Sequence, residues 1–174
     1  MKNLIKFTIL FFVIINVEKS VNAEIPRFVD FKIILNQSEA GKKAQKFLKD
    51  KLDKGITNIK DKEKKIQDEE KKIISKKKIL SPDEYKKQVQ ELRNKVTKLQ
   101  KERNTLLNDV SNQRNKARNE LLKNLNPILK DYMKEKKIRI VLDKKSLLVA
   151  DENLDITNEI LSRLNQKLKK IDLK

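Results

Sequence analysis

Apolar residues along this chain fall into two runs that mirror each other. Leu52, Ile59, Ile66, Ile73 and Leu80 recur at every seventh position, and Val89, Leu92, Val96, Leu99, Leu106 and Val110 follow spacings built from threes and fours. Such spacing marks the seam of a coiled coil. Between the runs, Ser81-Pro82-Asp83-Glu84 offers a capping serine, a proline at the first helical position and a glutamate three residues after the cap. These are the parts of a capping box, so a helix starts there. A helix start inside a coiled-coil pattern means that the chain reverses. The numbering agrees, because Ile73 with Val89, Ile66 with Val96, Ile59 with Arg103 and Leu52 with Val110 are each symmetric about Ser81. The pattern predicts an antiparallel helical hairpin over residues 38–126 with its turn near 79–82, each arm on the order of 60 Å long at about 1.5 Å per residue. The seam is narrow and carries Glu63, Glu70, Lys77 and Arg103. A helix of a compact bundle would show a wider apolar face.

The flanks read differently. Ile25 to Phe31 alternates as a short strand with Ile25, Val29 and Phe31 on one face, and Pro26 suits a strand beginning or an edge. A turn or short helical piece follows at 32–36, and Ser38 caps the outgoing arm. Phe47, Leu48 and Leu52 widen the arm's apolar base. Gly55 is either a flexible joint or a tolerated defect, and the defect is the simpler reading because helices commonly tolerate glycine. On the return, Leu121, Leu122, Leu125, Ile128, Leu129, Tyr132 and Met133 thicken the stripe, and Pro127 within it either kinks the helix or begins a new one. Ile138 to Asp143 reads as the clearest strand, with a turn into a second strand at 146–150 that would pair with it as a hairpin. Asp155 or Thr157 caps a last helix striped by Ile156, Ile160, Leu164 and Leu168.

The expected fold is therefore α+β, mostly α. A small body is built from 24–37 and 127–174 with three short strands, and the long hairpin projects from it. So small a core seldom stands without disulfides, metals or oligomerisation. The chain has no cysteine and no histidine, so oligomerisation is the expected route. Its candidate residues are Val29, Phe31, Ile138, Ile140, Leu142 and Leu148.

The N-terminus bears on compartment. A basic start with Lys2 and Lys6, an apolar run from Phe7 to Val17, and Val21-Asn22-Ala23 form a secretory signal peptide over residues 1–23, cleaved after Ala23. The apolar run is shorter than the roughly 17–25 residues that a membrane-spanning helix needs. The expected mature product is a soluble exported protein.

Charge adds a sign to the picture. The 174 residues carry a formal net charge of +18, and the leader takes only three basic residues and one acidic residue with it, so the mature chain stays strongly basic. Such a surface attracts acidic polymers, anionic headgroups and acidic proteins. Both arms hold a basic excess, concentrated near the turn at Lys76, Lys77, Lys78, Lys86 and Lys87. These are the candidate client-binding residues, although charge runs usually just solvate a helix. Chemistry is otherwise sparse. Without histidine or cysteine there is no catalytic triad and no soft metal site. Two glycines cannot build a phosphate-cradling loop. The acidic pairs, such as Glu69-Glu70, sit on charged helix faces. No catalytic residue, metal ligand or cofactor is expected, and the chain reads as a non-enzyme.

Several stretches together carry a likeness. They are Phe28-Val29-Asp30-Phe31, Ser38-Glu39-Ala40-Gly41-Lys42-Lys43-Ala44, Ile138-Arg139-Ile140-Val141-Leu142-Asp143 and Asp155-Ile156-Thr157-Asn158-Glu159-Ile160-Leu161. With the long hairpin in the same place, the mature chain resembles the Skp/OmpH family of periplasmic chaperones. The resemblance implies a homotrimer whose short strands complete a β-barrel body, with three arms around a central cavity. It also implies ATP-independent holding of unfolded outer-membrane proteins in the periplasm. The residues alone support the mechanism in outline, because thin, charge-interrupted seams bend and a cationic surface gathers acidic segments at long range. Two other classes remain open on charge alone. One is a binder of anionic lipid, lipopolysaccharide or nucleic acid; few aromatics (5%) and the export signal argue against specific nucleic-acid recognition. The other is a coiled-coil spacer without clients.

Overall fold

The computed structural model describes residues 25–173; the signal-peptide expectation over 1–23 lies outside them. The elements in order are β1 (Arg27–Val29), α1 (Phe31–Gln37), α2 (Glu39–Ser75), α3 (Pro82–Glu135), β2 (Val141–Asp143), two single-turn 3-10 helices and α4 (Thr157–Lys167). Local chemistry accounts for most boundaries. Ser38 Oγ accepts from the Gly41 N–H at 3.1 Å and starts α2. At the far turn Ser81 Oγ accepts from the Glu84 N–H, while the Glu84 carboxylate accepts from the Ser81 N–H at 3.1 Å. This reciprocal box, with Pro82 as first helical residue, is the one expected. At the other end of α3, Lys137 adopts φ 55°, and the Ile138 N–H reaches the Met133 carbonyl at 2.8 Å. That closes the helix as a Schellman motif with a non-glycine residue in the left-handed position.

Helices α2 and α3 run antiparallel and in the expected register. Ion pairs cross between them at Lys51–Asp109 (2.5 Å), Lys62–Glu102 (2.6 Å), Glu69–Lys95 (2.5 Å) and Glu63–Arg103 (3.4 Å). Each pair is nearly symmetric about Ser81. Pairs this exposed stabilise little, so they report register more than they hold the arms. Apolar burial is thin: Ile59, Ile73 and Val110 are buried, while Val96 is 50% exposed.

The core lies where the arm bases meet the chain's two flanks. Val29, Ile34 and Ala40 pack with Leu121, Leu125, Ile128, Leu129 and Tyr132 of α3 and with Ile156, Ile160 and Leu164. Burying a side chain of leucine size contributes about 1.5–3 kcal/mol. Pro127 sits inside α3 without ending it, because the helix continues to Glu135; no new helix begins there.

The sheet departs from expectation. Phe31 is the first residue of α1 rather than the end of a strand, because Asp30 turns the chain by accepting from the Ile33 N–H at 2.9 Å. The strand expected over 138–143 is paired only at 141–143. It pairs in parallel with β1, in the register Arg27–Val141, Phe28–Leu142 and Val29–Asp143. The hairpin to 146–150 is not formed: Asp143 accepts from the Lys145 N–H and directs residues 144–146 into a 3-10 turn. Among the described residues the sheet has two strands, not three. A single bridge from Phe28 to Asp155 extends it, and the Ile156 N–H donates to the Phe28 carbonyl at 3.0 Å.

Candidate functional site

The exposed basic and apolar features of the described residues lie on the arms and on the outer face of the body. Lys76, Lys77, Lys78, Lys86 and Lys87 are all exposed at the distal turn, so the structure brings them together at one end of the hairpin. The Lys77 ammonium stands 5.9 Å from the Tyr85 ring centroid, and Ile79 beside them is 83% exposed. The tip is thus basic with an apolar point rather than uniformly charged.

Below the tip, thin stretches of the seam leave grooves along the hairpin. One groove of about 610 Å³ is lined by Ile66, Ile73, Ile74, Tyr85, Val89 and Val96 among others, with Arg93 and Glu70 on its wall. A larger one of about 800 Å³ lies at the arm base beside Leu35, Leu48, Leu52 and Val110, with Arg114 and Arg118 lining it. Both combine apolar walls with cationic groups. The wide apolar base read from Leu48 and Leu52 is what the second groove uses; its return-arm arginines carried no local signal in the sequence.

Gly55 has a role that neither sequence reading named. A methyl group on it would stand 2.4 Å from Leu106 Cδ2 and 2.6 Å from Cδ1, so glycine lets the leucine of the returning arm lie over the α2 backbone. Gly41 is tighter. A Cβ there would fall 2.0 Å from the Leu35 carbonyl oxygen and 2.8 Å from Ser38 Oγ, where α1 doubles back against the start of α2.

The six body residues divide in two. Val29 is fully buried in the core, and Phe31 and Ile138 pack against it, so these three serve the chain's own fold. Ile140 (54% exposed), Leu142 and Leu148 face outward, and Val149 beside Leu148 is almost wholly exposed. Alternation along β2 turns Val141 in and Ile140 and Leu142 out, whereas Ile138 turns in before the strand begins, where its N–H closes α3 on Met133.

Several exposed carboxylates are held below their ordinary range by a local partner. Glu84 is lowered by the Ser81 hydroxyl and N–H, Glu102 by hydrogen bonding to Lys62, and Glu135 chiefly by Arg163 and then by Lys136. Among the described residues no group of acidic side chains gathers closely enough to hold a metal ion, and no helix is long and apolar enough to cross a membrane.

A small α/β body with a long, basic, antiparallel helical hairpin defines a class of arm-bearing coiled-coil proteins. Residues 27–164 match the model of the family described as outer membrane protein (OmpH-like), and the chain belongs to that family. The fold is similar to the crystal structure of an OmpH-like chain from Caulobacter crescentus CB15, a protein put forward as an outer membrane chaperone. The TM-score is 0.78 at 19% identity, covering 85% of this chain and 89% of that one. No curated protein sequence matches the chain.

Proposed function

We propose that this protein is an ATP-independent holdase of the periplasm. In this reading it is exported by its leader, assembles as a homotrimer, and holds unfolded outer-membrane proteins between its arms. The observation that carries the reading is the pairing of unsatisfied apolar surface on the body with gapped, cationic arms. Ile140, Leu142, Leu148 and Val149 are too apolar to be left to water on so small a core, and covering them with further copies would set several hairpins around one axis. The family membership and the similarity to a chain put forward as an outer membrane chaperone support the same reading.

The chemistry follows from the surfaces. Lysines spread along both arms draw acidic segments of a client by long-range attraction that salt screens. The grooves beside Val96 and Leu52 then give exposed apolar side chains a place to rest without imposing a conformation on the client. Holding of this kind needs no catalytic group and no nucleotide. The test is direct. Residues 24–174 are mixed with a β-barrel protein diluted from denaturant, and turbidity is followed without ATP. Suppression at near-stoichiometric trimer supports the reading; unchanged aggregation removes it. Vesicles of anionic lipid in the same assay separate a lipid-binding role, which would bind the vesicles while leaving aggregation untouched.

A further inference from the structure

The segment after α4 does something that neither the family nor the proposed function calls for. The helix stops at Lys167, and residues 168–173 continue without regular secondary structure. They do not trail into solvent. Leu173 is only 5% exposed and packs against Ala44, Leu48 and Ala117 at the arm base, while Ile171 touches both this cluster and the main core. Lys169 reaches Glu39 at the start of α2 with Nζ–Oε1 of 3.0 Å. The segment therefore crosses from the body to the arms, pinned by an exposed ion pair and two alternate apolar side chains.

Its occupancy shows what chemistry the surface accepts. Ala44, Leu48 and Ala117 also line the large groove between the arm bases, which Ile171 and Leu173 do not line, so the segment occupies apolar surface that adjoins the groove the proposed function assigns to clients. An irregular stretch with apolar residues two apart is what an unfolded β-barrel strand presents, since its side chains alternate between apolar and polar. We propose that residues 169–173 form a displaceable strap. In the free protein Ile171 and Leu173 fill an apolar peptide site at the arm base, and an extended apolar segment of a client takes their place. The idea rests on the holdase reading.

A site closed by its own chain binds an outside peptide less tightly, in proportion to the fraction of time the strap is lifted. A short irregular segment at the edge of the core, anchored by alternate apolar side chains, is of the kind that opens locally. The strap thus hides apolar surface from other copies of the protein until a client competes for it.

The test uses the mature chain, a version ending at Leu168, which keeps that core residue, and Leu173→Ser as a milder variant. The probe is a labelled synthetic peptide with the sequence of residues 168–173, and circular dichroism confirms that each protein is folded. The expected result is peptide binding to the shortened chain and to Leu173→Ser at least about tenfold tighter than to the full chain. Capture of an unfolded β-barrel protein should be faster in both variants and slowed by excess peptide. Folded variants that do not bind the peptide overturn the strap. So does peptide binding that leaves client capture unchanged, since the segment is then only a clasp. If no version holds clients yet the peptide still binds the shortened chain, the holdase reading fails while the peptide site stands.

Discussion

Gly41 is the residue on which the base of the arm turns. A side chain there would meet the Leu35 carbonyl, and that atom belongs to backbone held by α1. Gly41→Ala should lower stability by about 1–3 kcal/mol despite alanine's better helix propensity, read as a fall in thermal midpoint; an unchanged or higher midpoint would contradict the packing described. Lys137 offers the reverse case. Its left-handed backbone costs about 1 kcal/mol for a side chain with a Cβ, so Lys137→Gly should raise the midpoint slightly, and a clear loss would mean that the lysine side chain matters more than its φ. Local chemistry of this kind is partly legible in sequence. Ser81, Pro82 and Glu84 announced the turn because a capping box is written in consecutive residues. Gly55 was misjudged because its reason, Leu106, stands on the other arm.

The hairpin's register was legible for a related reason: heptads on two arms must face each other whatever else the chain does. The body was legible only in part. Helix α4 forms where expected, with Ile160 and Leu164 fully buried, but Ile156 rather than Asp155 or Thr157 stands at its N-cap, without a side-chain cap bond. The hairpin over 138–150 does not form. Leu147, Leu148 and Val149 read as a strand by composition, yet β2 takes its partner from β1 at the opposite end of the chain, and local alternation carries no information about so distant a pairing. Phe31 was drawn into the strand by its hydrophobicity, while the Asp30 cap decided for helix. At this scale the distal turn is a pH-sensitive element. The Glu84 carboxylate is stabilised by its bonds to Ser81, so its contribution is present above the ordinary glutamate range and is lost as pH falls through the lowered value. Amides of Ser81 and Glu84 should therefore exchange faster, relative to their intrinsic rates, once the pH has fallen below the ordinary glutamate range and the carboxylate is protonated. Glu84→Gln should remove that dependence. Flat protection across the range would mean the box does not hold the turn. Removing 59–72 together with 90–103 deletes matched heptads and keeps the seam in phase. The shortened arms should still fold and assemble but hold large clients poorly, and undiminished holding of large clients would place binding elsewhere than between the arms.

For the whole molecule, the proposed function rests on charge and on assembly. Replacing Lys76, Lys77, Lys78, Lys86 and Lys87 with Gln keeps good helix formers and removes five exposed positive charges from each tip. If the tip gathers clients, their association should slow and its salt dependence should flatten; identical rates and salt slopes would assign these lysines to solubility. Assembly is the prior condition, because Ile140, Leu142 and Leu148 are left uncovered by the single chain. Ile140→Asp should abolish a trimer seen by light scattering while sparing the monomer's own core, whereas Val29→Asp should unfold the body, since Val29 is buried within it. The central claim is that this chain holds unfolded outer-membrane proteins without an energy source. The most direct measurement is the turbidity of a denaturant-diluted β-barrel protein with increasing amounts of residues 24–174, in nucleotide-free buffer. The account predicts that aggregation is suppressed with an end point near one trimer per client; aggregation that proceeds at the same rate and extent at every ratio would contradict it.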